Sequence, residues 1–461
     1  MTEARLLFGE GTIDVTLPDR TRMVGGSGNG SSRSPSLQPV PDQEAAVRDA
    51  LANPIGLPRV RELVRPGGSV LIAFDDPTVP SFGPVRRLAI EAILEELADA
   101  GVPEENIHLV CANALHRKWT DDELSSILGP DLVRRFGDRL TCHDAEDSDN
   151  LTYIGATPGG YAVELHRLAV ESDLTIYVNA SCHLGFSGGW KSVCVGLSTW
   201  RSIRWTHTPD GMSMSVHENR MHDVLNEMGE LVEAKLGRPI FKVETILANP
   251  ATIGHIWAGS VAATRAEALK VQSGRFKPRR SEAAPADVIV YGLPDWSPYA
   301  TFAGMNPLLT LVSSGLGYLG GYIEALGKPG CSVIMATPCP DRWDTEHHPA
   351  HERAWREVLP QTLDPYEITE RFEDQYAHDA ALIERYRFGV AYHPIHAILA
   401  THPLKRLKHA GRVFVAGAQD SAVPRHVGFI PTRSVEEAIA EAERIHGHDC
   451  EIVCVRQFPG W

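Results

Sequence analysis

At 461 residues the chain is long enough for two or three domains, each with its own core. With 43% hydrophobic and 22% charged residues its composition is that of an ordinary globular protein. A net charge of −15 offers no basic face for a phosphate backbone, so no nucleic-acid partner is expected. No run of about 18 apolar residues occurs, so no membrane span is expected either.

The opening segment, MTEARLLFGEGTIDVTLPD, lacks the basic start and apolar stretch of a signal peptide, which points to a cytoplasmic protein. Residues 24–40, VGGSGNGSSRSPSLQPV, are too rich in Gly, Ser and Pro to pack and read as a mobile loop. A regular alternation follows. SVLIAF (69–74) reads as a buried strand and PVRRLAIEAILEELADAG (84–101) as an amphipathic helix stopped by glycine. IHLVCAN (107–113) is a second strand, TDDELSSILG (120–129) a helix with an acidic first turn, and DLTIYVNA (173–180) a third strand. Such alternation predicts a parallel sheet covered on both faces, with ligands beyond the carboxyl ends of its strands. DDPTVP, ALHRKW and SCHLGFSGGWK follow the three strands and so fall at those ends.

The basic, proline-containing stretch GRFKPRRSEAAPA (274–286) reads as a linker. Beyond it DVIVYG (287–292), CSVIMAT (331–337), RVFVAGA (412–418) and the helix SVEEAIAEAERIHG (434–447) form a second βα pattern. The expected fold class is therefore α/β with two domains, each a mainly parallel, Rossmann-like sheet flanked by helices. Residues 1–273 would form a cofactor-binding and catalytic domain and 287–461 a second α/β domain, with the active site between them. No repeat at a fixed period is present. The eight cysteines include no C-x-x-C pair, which fits reduced, mostly buried thiols.

Several motifs carry chemistry. In GFSGGWK (185–191) the glycines allow close backbone approach and a nest of amides for an anion, with Lys191 beside it. The G-x-x-x-x-G-K-[ST] spacing is missing, so this is no Walker motif; the plain alternative is a glycine-rich turn with a surface lysine. His207, in RWTHTPDGM, suits either a metal ligand or a turn cap. His116, in NALHRKW, lies between a strand end and a helix start, where acid–base groups often occur, and His183 is similarly placed. HHPAHE (347–352) spaces His347 and His351 as helical metal ligands would be, but Pro349 interrupts a regular helix; a zinc hydrolase would need His347, His348 or His351 as ligands. GLGYLG (315–320) matches G-x-G-x-x-G, yet the first acid at a useful distance, Asp341, stands beyond two prolines, so NAD binding is weakly signalled.

Taken together, DDPTVP, ALHR, GFSGGWK, the histidine at 207 and the C-terminal GFIPTRSVEEAIAEAE resemble the nickel-dependent lactate racemase family over nearly the whole chain. The resemblance implies a racemase or epimerase of a 2-hydroxy acid, an isomerase that works by proton-coupled hydride transfer. Its implied cofactor is a nickel-pincer nucleotide, the nickel complex of pyridinium-3-thioamide-5-thiocarboxylic acid mononucleotide. Lys191 would carry this cofactor through a thioamide, with Asp76, Thr78, Gly185, Ser187, Gly188 and Gly189 contributing to its site. His207 would ligate nickel, and His116 and His183 would be the two general bases, one for each substrate face. The implied partners are a small-molecule substrate and the proteins that make the cofactor.

Three positions depart from the family pattern. Ser181 stands where the second base is expected, and His183 is only eight residues before the lysine. Val79 replaces the arginine of D-x-T-R-P, and Asn306 stands where a lysine is expected. Arginine and lysine are the groups that would clamp a small carboxylate. A substrate other than lactate is therefore expected. It would be a larger 2-hydroxy acid, a sugar-derived one, or a neutral α-hydroxy compound. Trp296, Tyr299, Phe302 and Asn306 would line its pocket, and Arg87 is a cation that could take over the clamp.

Overall fold

The structure, a computed structural model, describes residues 1–24, 37–181, 185–211, 219–275 and 284–456. Most of the 24–40 loop and of the 274–286 linker, and the whole of His183, lie outside the described residues. The strands, in chain order, are β1 (Thr2–Gly9), β2 (Gly11–Leu17), β3 (Arg22–Val24), β4 (Val70–Asp75), β5 (Ile107–Ala112), β6 (Leu140–Cys142), β7 (Leu151–Ala156) and β8 (Ala162–His166). They continue with β9 (Leu174–Ser181), β10 (Phe241–Asn249), β11 (Thr252–Ser260), β12 (Ala286–Pro294), β13 (Gly327–Ala336), β14 (Ala410–Ala416), β15 (Ile430–Thr432) and β16 (Ile452–Val455).

These strands divide between two compact units. The first comprises residues 37–275 with 383–393, and the second comprises 1–24, 284–382 and 394–456. The first unit's main sheet has the order β11-β10-β9-β4-β5-β6, parallel except for the β10–β11 hairpin. Its central strand, VLIAFD, is buried at every position, as a strand covered on both faces must be. The helix Val85–Asp99 packs against it through Ile90, Ile93 and Leu97, joined in one core by Ile72, Phe74, Leu109, Ile176 and Phe241. Burying each such side chain stabilises the fold by about 1.5–3 kcal/mol. The helix Asp121–Leu128 begins with a reciprocal capping box between Thr120 and Glu123, which satisfies two amides of its first turn.

In the second unit β12 is central, flanked by β13, β14 and β15 on one side and by β1 and β16 on the other, all parallel. The helix Val435–His446 covers it with Val435, Ala438, Ile439 and Ala442. The fold class is thus the expected one: α/β, with mainly parallel sheets flanked by helices.

The expected domain boundaries need correction at two places. Residues 1–24 belong to the second unit, because β1 pairs with β12 (Phe8↔Leu293) and carries β2 with it as an antiparallel edge. Residues 383–393 belong to the first unit. Tyr386 Oη accepts from the Ala145 amide, Lys118 Nζ donates to the Tyr386 carbonyl, and His393 Nε2 lies 3.0 Å from Glu146. In both cases hydrogen bonding to a distant strand or loop outweighs nearness in sequence.

Candidate active site

From β4 the first unit's chain moves outward to β5 and β6, then returns to the other side of β4 as β9. The topology therefore switches between β4 and β9, and the carboxyl ends of those two strands are where doubly wound sheets bind ligands. DDPTVP leaves β4 there, and the glycine bend leaves β9.

β4 ends in two carboxylates with different partners. Asp75 is buried and accepts from Tyr177 Oη (2.9 Å), Asn179 Nδ2 and the Ala180 amide (2.8 Å), which tie the ends of β4 and β9 together. Burial raises its pKa, while Arg86 and Lys242 oppose that shift. Asp76 faces the other way, accepting from Thr78 Oγ1 at 2.6 Å and standing 2.9 Å from His116 Nδ1. Arg86, fully buried, holds the loop from below by donating to the carbonyls of Asp75, Ser81, Asp76 and Val79. Sequence reasoning missed Arg86. Its signal was an arginine pair just inside a helix that follows a polar loop, where a surface position is the ordinary expectation.

His116 sits on a tight turn. Ala114 has φ 51°, a left-handed conformation rarely adopted by a residue with a side chain, and its amide donates to the Gly196 carbonyl. Fully buried Asn113 closes the turn by donating from Nδ2 to the carbonyls of His116 and His143. The ring of Tyr392 lies 5.8 Å away, brought there by the 383–393 segment, and no local motif announced it. Asp76 accepts the Thr78 hydroxyl proton and faces Nδ1 of His116, so Nδ1 is the donor and the lone pair lies on Nε2.

The glycine bend is built on backbone that only glycine adopts freely. Gly188 has φ 80° and Gly189 φ 56°, and a Cβ at Gly189 would lie 3.2 Å from Arg265 Cδ. Beneath the bend Lys242, fully buried, directs its three donors to the Gly189 carbonyl, Ser192 Oγ and Glu244 Oε2. Glu244 in turn accepts from the Gly189 amide, Arg265 donates to the Ser187 carbonyl, and Asn219 donates to the Gly185 carbonyl. The bend is therefore held by a buried ion pair as well as by turn geometry. Sequence reasoning missed Lys242, Glu244 and Arg265, which lie more than fifty residues from the bend.

Lys191 opens a short helix at the end of the bend. Its Nζ donates to the Phe186 carbonyl at 2.7 Å and lies 3.5 Å from the centre of that ring. Burial lowers its pKa to about 7, partly offset by the carboxylates of Asp75 and Asp76. At neutral pH a large fraction of this amine is therefore unprotonated and nucleophilic. His207 is buried, with Nδ1 2.9 Å from Thr206 Oγ1. The Thr206 proton is given to the Ile203 carbonyl, so His207 Nδ1 must donate and the lone pair falls on Nε2. Ser181, at the place of the expected second base, is fully buried and donates to Asn179 Oδ1.

The remaining sequence candidates scatter. Val79 packs against the first unit's core, and Arg87 is partly exposed in an i,i+4 pair with Glu91, turned to the helix surface. In the second unit Trp296 is partly buried. Phe302 is 45% exposed and has φ 54°. Asn306 is buried, with Oδ1 accepting from the Leu309 amide, and Tyr299 stands edge-on to His396 at 4.4 Å. The G-x-G-x-x-G match lies along and beyond a wide helical segment, Leu308–Tyr318, rather than at a strand-to-helix turn. There a Cβ at Gly315 would meet Met335 Sδ at 2.9 Å, so that glycine serves packing. His347 is held by Asp344, while His348 and His351 stack on each other. Among the described residues no group of three or more His, Cys, Asp or Glu side chains is placed to hold a metal ion. The zinc reading thus finds no ligand set in the residues that prompted it.

Comparison with known proteins gives a consistent result. A family model described as the lactate racemase N-terminal domain matches residues 8–220. The lactate racemase of Thermoanaerobacterium thermosaccharolyticum is 23% identical over 466 aligned residues, spanning 98% of this chain and 97% of that protein. That of Lactiplantibacillus plantarum is 26% identical over 226 residues, 48% of this chain and 52% of that protein. The solved structure of the T. thermosaccharolyticum lactate racemase apoprotein covers 99% of this chain and 100% of its own, with a TM-score of 0.69 and 20% identity. A crystal structure of a protein from Thermotoga maritima covers 90% and 96%, with a TM-score of 0.56 and 15% identity. At these identities the structural matches establish the fold.

Proposed function

We propose that the chain is a member of the lactate racemase family, whose N-terminal domain model it matches over residues 8–220, and that it is an isomerase, a racemase or epimerase of a 2-hydroxy acid other than lactate. The observation that carries the reading is Lys191, an amine brought to about pKa 7 by burial at the topological switch point. The residues fit the nickel-pincer nucleotide. Lys191 is nucleophilic near neutral pH, Gly188 and Gly189 take the positive φ that the bend beside it requires, and His207 keeps its lone pair on Nε2. Lys191 would hold the group covalently. His207 would supply one imidazole to nickel, and a single protein ligand suffices when the other donors come from the group itself. When bound, the group supplies the hydride acceptor and donor for the carbinol carbon.

The chain's own residues manage the protons. His116, with Asp76 on Nδ1, presents Nε2 to take the substrate hydroxyl proton, and Asp76 steadies the imidazolium that results. Thr78 fixes the Asp76 carboxylate, and Arg86 fixes the backbone beneath both. Racemisation requires a second acid–base group for the opposite face. His183 is the proposed residue, and Ser181 is already committed to Asn179. The missing cations at Val79 and Asn306 support a substrate other than lactate.

The test is the intact mass and nickel content of protein made alongside the cofactor's biosynthetic enzymes. A mass increase absent from Lys191→Ala is expected, together with nickel that is lost in His207→Ala while the adduct stays. Active, nickel-loaded protein with an unmodified Lys191 would overturn the reading.

A further inference from the structure

The first unit contains a pair of thiols that the proposed chemistry does not use. Cys111 on β5 and Cys142 on β6 are register partners in a parallel pair, so their side chains leave the same face of the sheet. Both pack on the core that the helix Val85–Asp99 covers. Neighbouring strands lie about 4.7–4.9 Å apart, within the Cα separation that a disulfide spans. β6 is a three-residue strand at the edge of the sheet, so it can shift toward β5 without breaking a central ladder.

The two sulfurs are not equivalent. Cys111 is fully enclosed, and burial pushes its thiol well above the ordinary range. Cys142 is partly exposed, and its pKa is lowered, first of all by the Cys111 thiol beside it. The Trp119 amide, 3.4 Å from Cys142 Sγ, and the Lys118 ammonium add to this, while burial and Asp76 oppose it. Burial shifts Cys194, Cys331, Cys339, Cys450 and Cys454 upward instead. Among the described residues Cys142 is therefore the nucleophilic thiol, and Cys111 is the one placed to react with it next. The strand ends they stand on also hold the turn of His116. The His143 amide, next after Cys142, donates to the Cys111 carbonyl at 3.0 Å. Asn113, two residues after Cys111, donates to the carbonyls of both His143 and His116.

We propose that Cys111 and Cys142 are a redox modification site, a dithiol that hydrogen peroxide converts to a disulfide, and that the new bond displaces the turn carrying His116. The Cys142 thiolate attacks one peroxide oxygen, the O–O bond breaks, and the hydroxide that leaves takes a proton from solvent to become water. Cys142 is then a sulfenic acid. Cys111 Sγ attacks Cys142 Sγ, the S–O bond breaks as the S–S bond forms, and the departing hydroxide takes the Cys111 proton as a second water. Two thiols have lost two electrons and two protons, and one peroxide has become two waters. A disulfide needs its Cβ atoms about 3.5–4.5 Å apart, closer than the strand spacing, so closing it draws the ends of β5 and β6 together by up to about 1 Å. Asn113 passes that movement to the His116 carbonyl. The dithiol stands apart from the racemase reading; only its effect on turnover rests on that reading.

The test begins with the unsubstituted, cofactor-free chain and equimolar hydrogen peroxide, followed by thiol blocking under denaturing conditions and peptide mass mapping. The expected first product is a linked Cys111–Cys142 peptide pair, two hydrogens lighter than the separate peptides and returned to free thiols by dithiothreitol. In Cys111→Ser a dimedone adduct should accumulate on Cys142. First oxidation at another cysteine, or Cys142 passing to sulfinic acid with Cys111 still a thiol, overturns the dithiol, and that measurement needs no variant to fold. In cofactor-loaded enzyme the oxidised form should lose turnover about 10- to 100-fold and regain it with dithiothreitol, whereas Cys142→Ser should keep its rate under the same peroxide. A linked pair with unchanged kcat, or an equal loss in Cys142→Ser, overturns the effect on His116. A linked pair in a protein with no racemase activity in either form leaves the dithiol standing and removes the reading of the reaction.

Discussion

The two units share an architecture and differ in what they bury at the carboxyl ends of their strands. The first buries charge: Asp75, Asp76, Arg86, Lys242 and Glu244 are almost wholly enclosed. The second buries neutral polarity: Asn306, His351 and His396 in one hydrogen-bonded row. Enclosing an ion costs several kcal/mol unless its partners are well placed, whereas a neutral imidazole with both nitrogens engaged costs far less. A fold tolerates buried charge where charge must be moved or generated, which is the demand of proton and hydride transfer. Buried charge in the first unit is therefore what the proposed function asks of a reacting centre.

The strongest way to break this contrast is to remove charge from the first unit without changing shape. Asp76→Asn places an amide where His116 Nδ1 needs an acceptor, so the imidazole loses its enforced tautomer. We expect kcat to fall by about 10²–10⁴-fold, the usual weight of a positioned acid–base group, with the Lys191 adduct mass unchanged. A loss under tenfold would show that Asp76 does not govern His116. Arg86→Met comes next, because it strands four loop carbonyls that now share one guanidinium. Removing one partner from a buried charged network destabilises by about 3–5 kcal/mol, to be read from urea unfolding. A cost below about 1 kcal/mol would mean the loop holds itself.

These two residues also show what sequence could and could not reveal. The apolar runs of β4, β5, β9, β12 and β13 stand out because strands buried on both faces admit little else, and the glycine bend with Lys191 stands out because its backbone needs φ above zero. Asp76 was visible as a loop acid, but its hold on His116, forty residues away, was not. Arg86 reads as a surface arginine until the loop folds back over it. Asn306, His351 and His396 are spaced by 45 residues at each step, so only the tertiary fold reveals the row. The same holds for β1, whose partner β12 lies some 285 residues away (Phe8↔Leu293).

A third variant sharpens the contrast by relieving its cost. Lys191 titrates near 10.5 when unfolded and about 7 when folded, because burial disfavours the ammonium. Between those values the unfolded chain binds the extra proton, so stability rises with pH through that window. At pH 7 and below, the folded chain carries the full penalty. In cofactor-free protein Lys191→Met should therefore stabilise the fold by about 2–4 kcal/mol at pH 6, the range allowing for the partial exposure of the side chain. The gain should shrink by pH 9 and approach zero near pH 10.5. Urea midpoints at pH 6 and pH 9 decide it, and an equal effect at both would show that the lysine is not held neutral by burial.

The smallest expected effect tests whether any charge at the first unit's helix surface belongs to the site. Arg87 follows Arg86 in the helix after the DDPTVP loop and is the cation expected to replace the missing carboxylate clamp. Its guanidinium instead lies 3.0 Å from Glu91, one turn along the same helix, with both side chains about 40% exposed. Such i,i+4 pairs contribute about 0.3–0.5 kcal/mol, and salt screens them further. Arg87→Ala should therefore shift the urea midpoint by no more than that, with the difference vanishing in high salt. It should also leave KM for any 2-hydroxy acid within about twofold, because a lost charge-assisted bond to carboxylate would cost about 1.5–3 kcal/mol, more than tenfold in affinity. A tenfold rise in KM for lactate and for larger acids alike would place Arg87 on the substrate carboxylate. The helix surface would then have to be counted with the reacting centre.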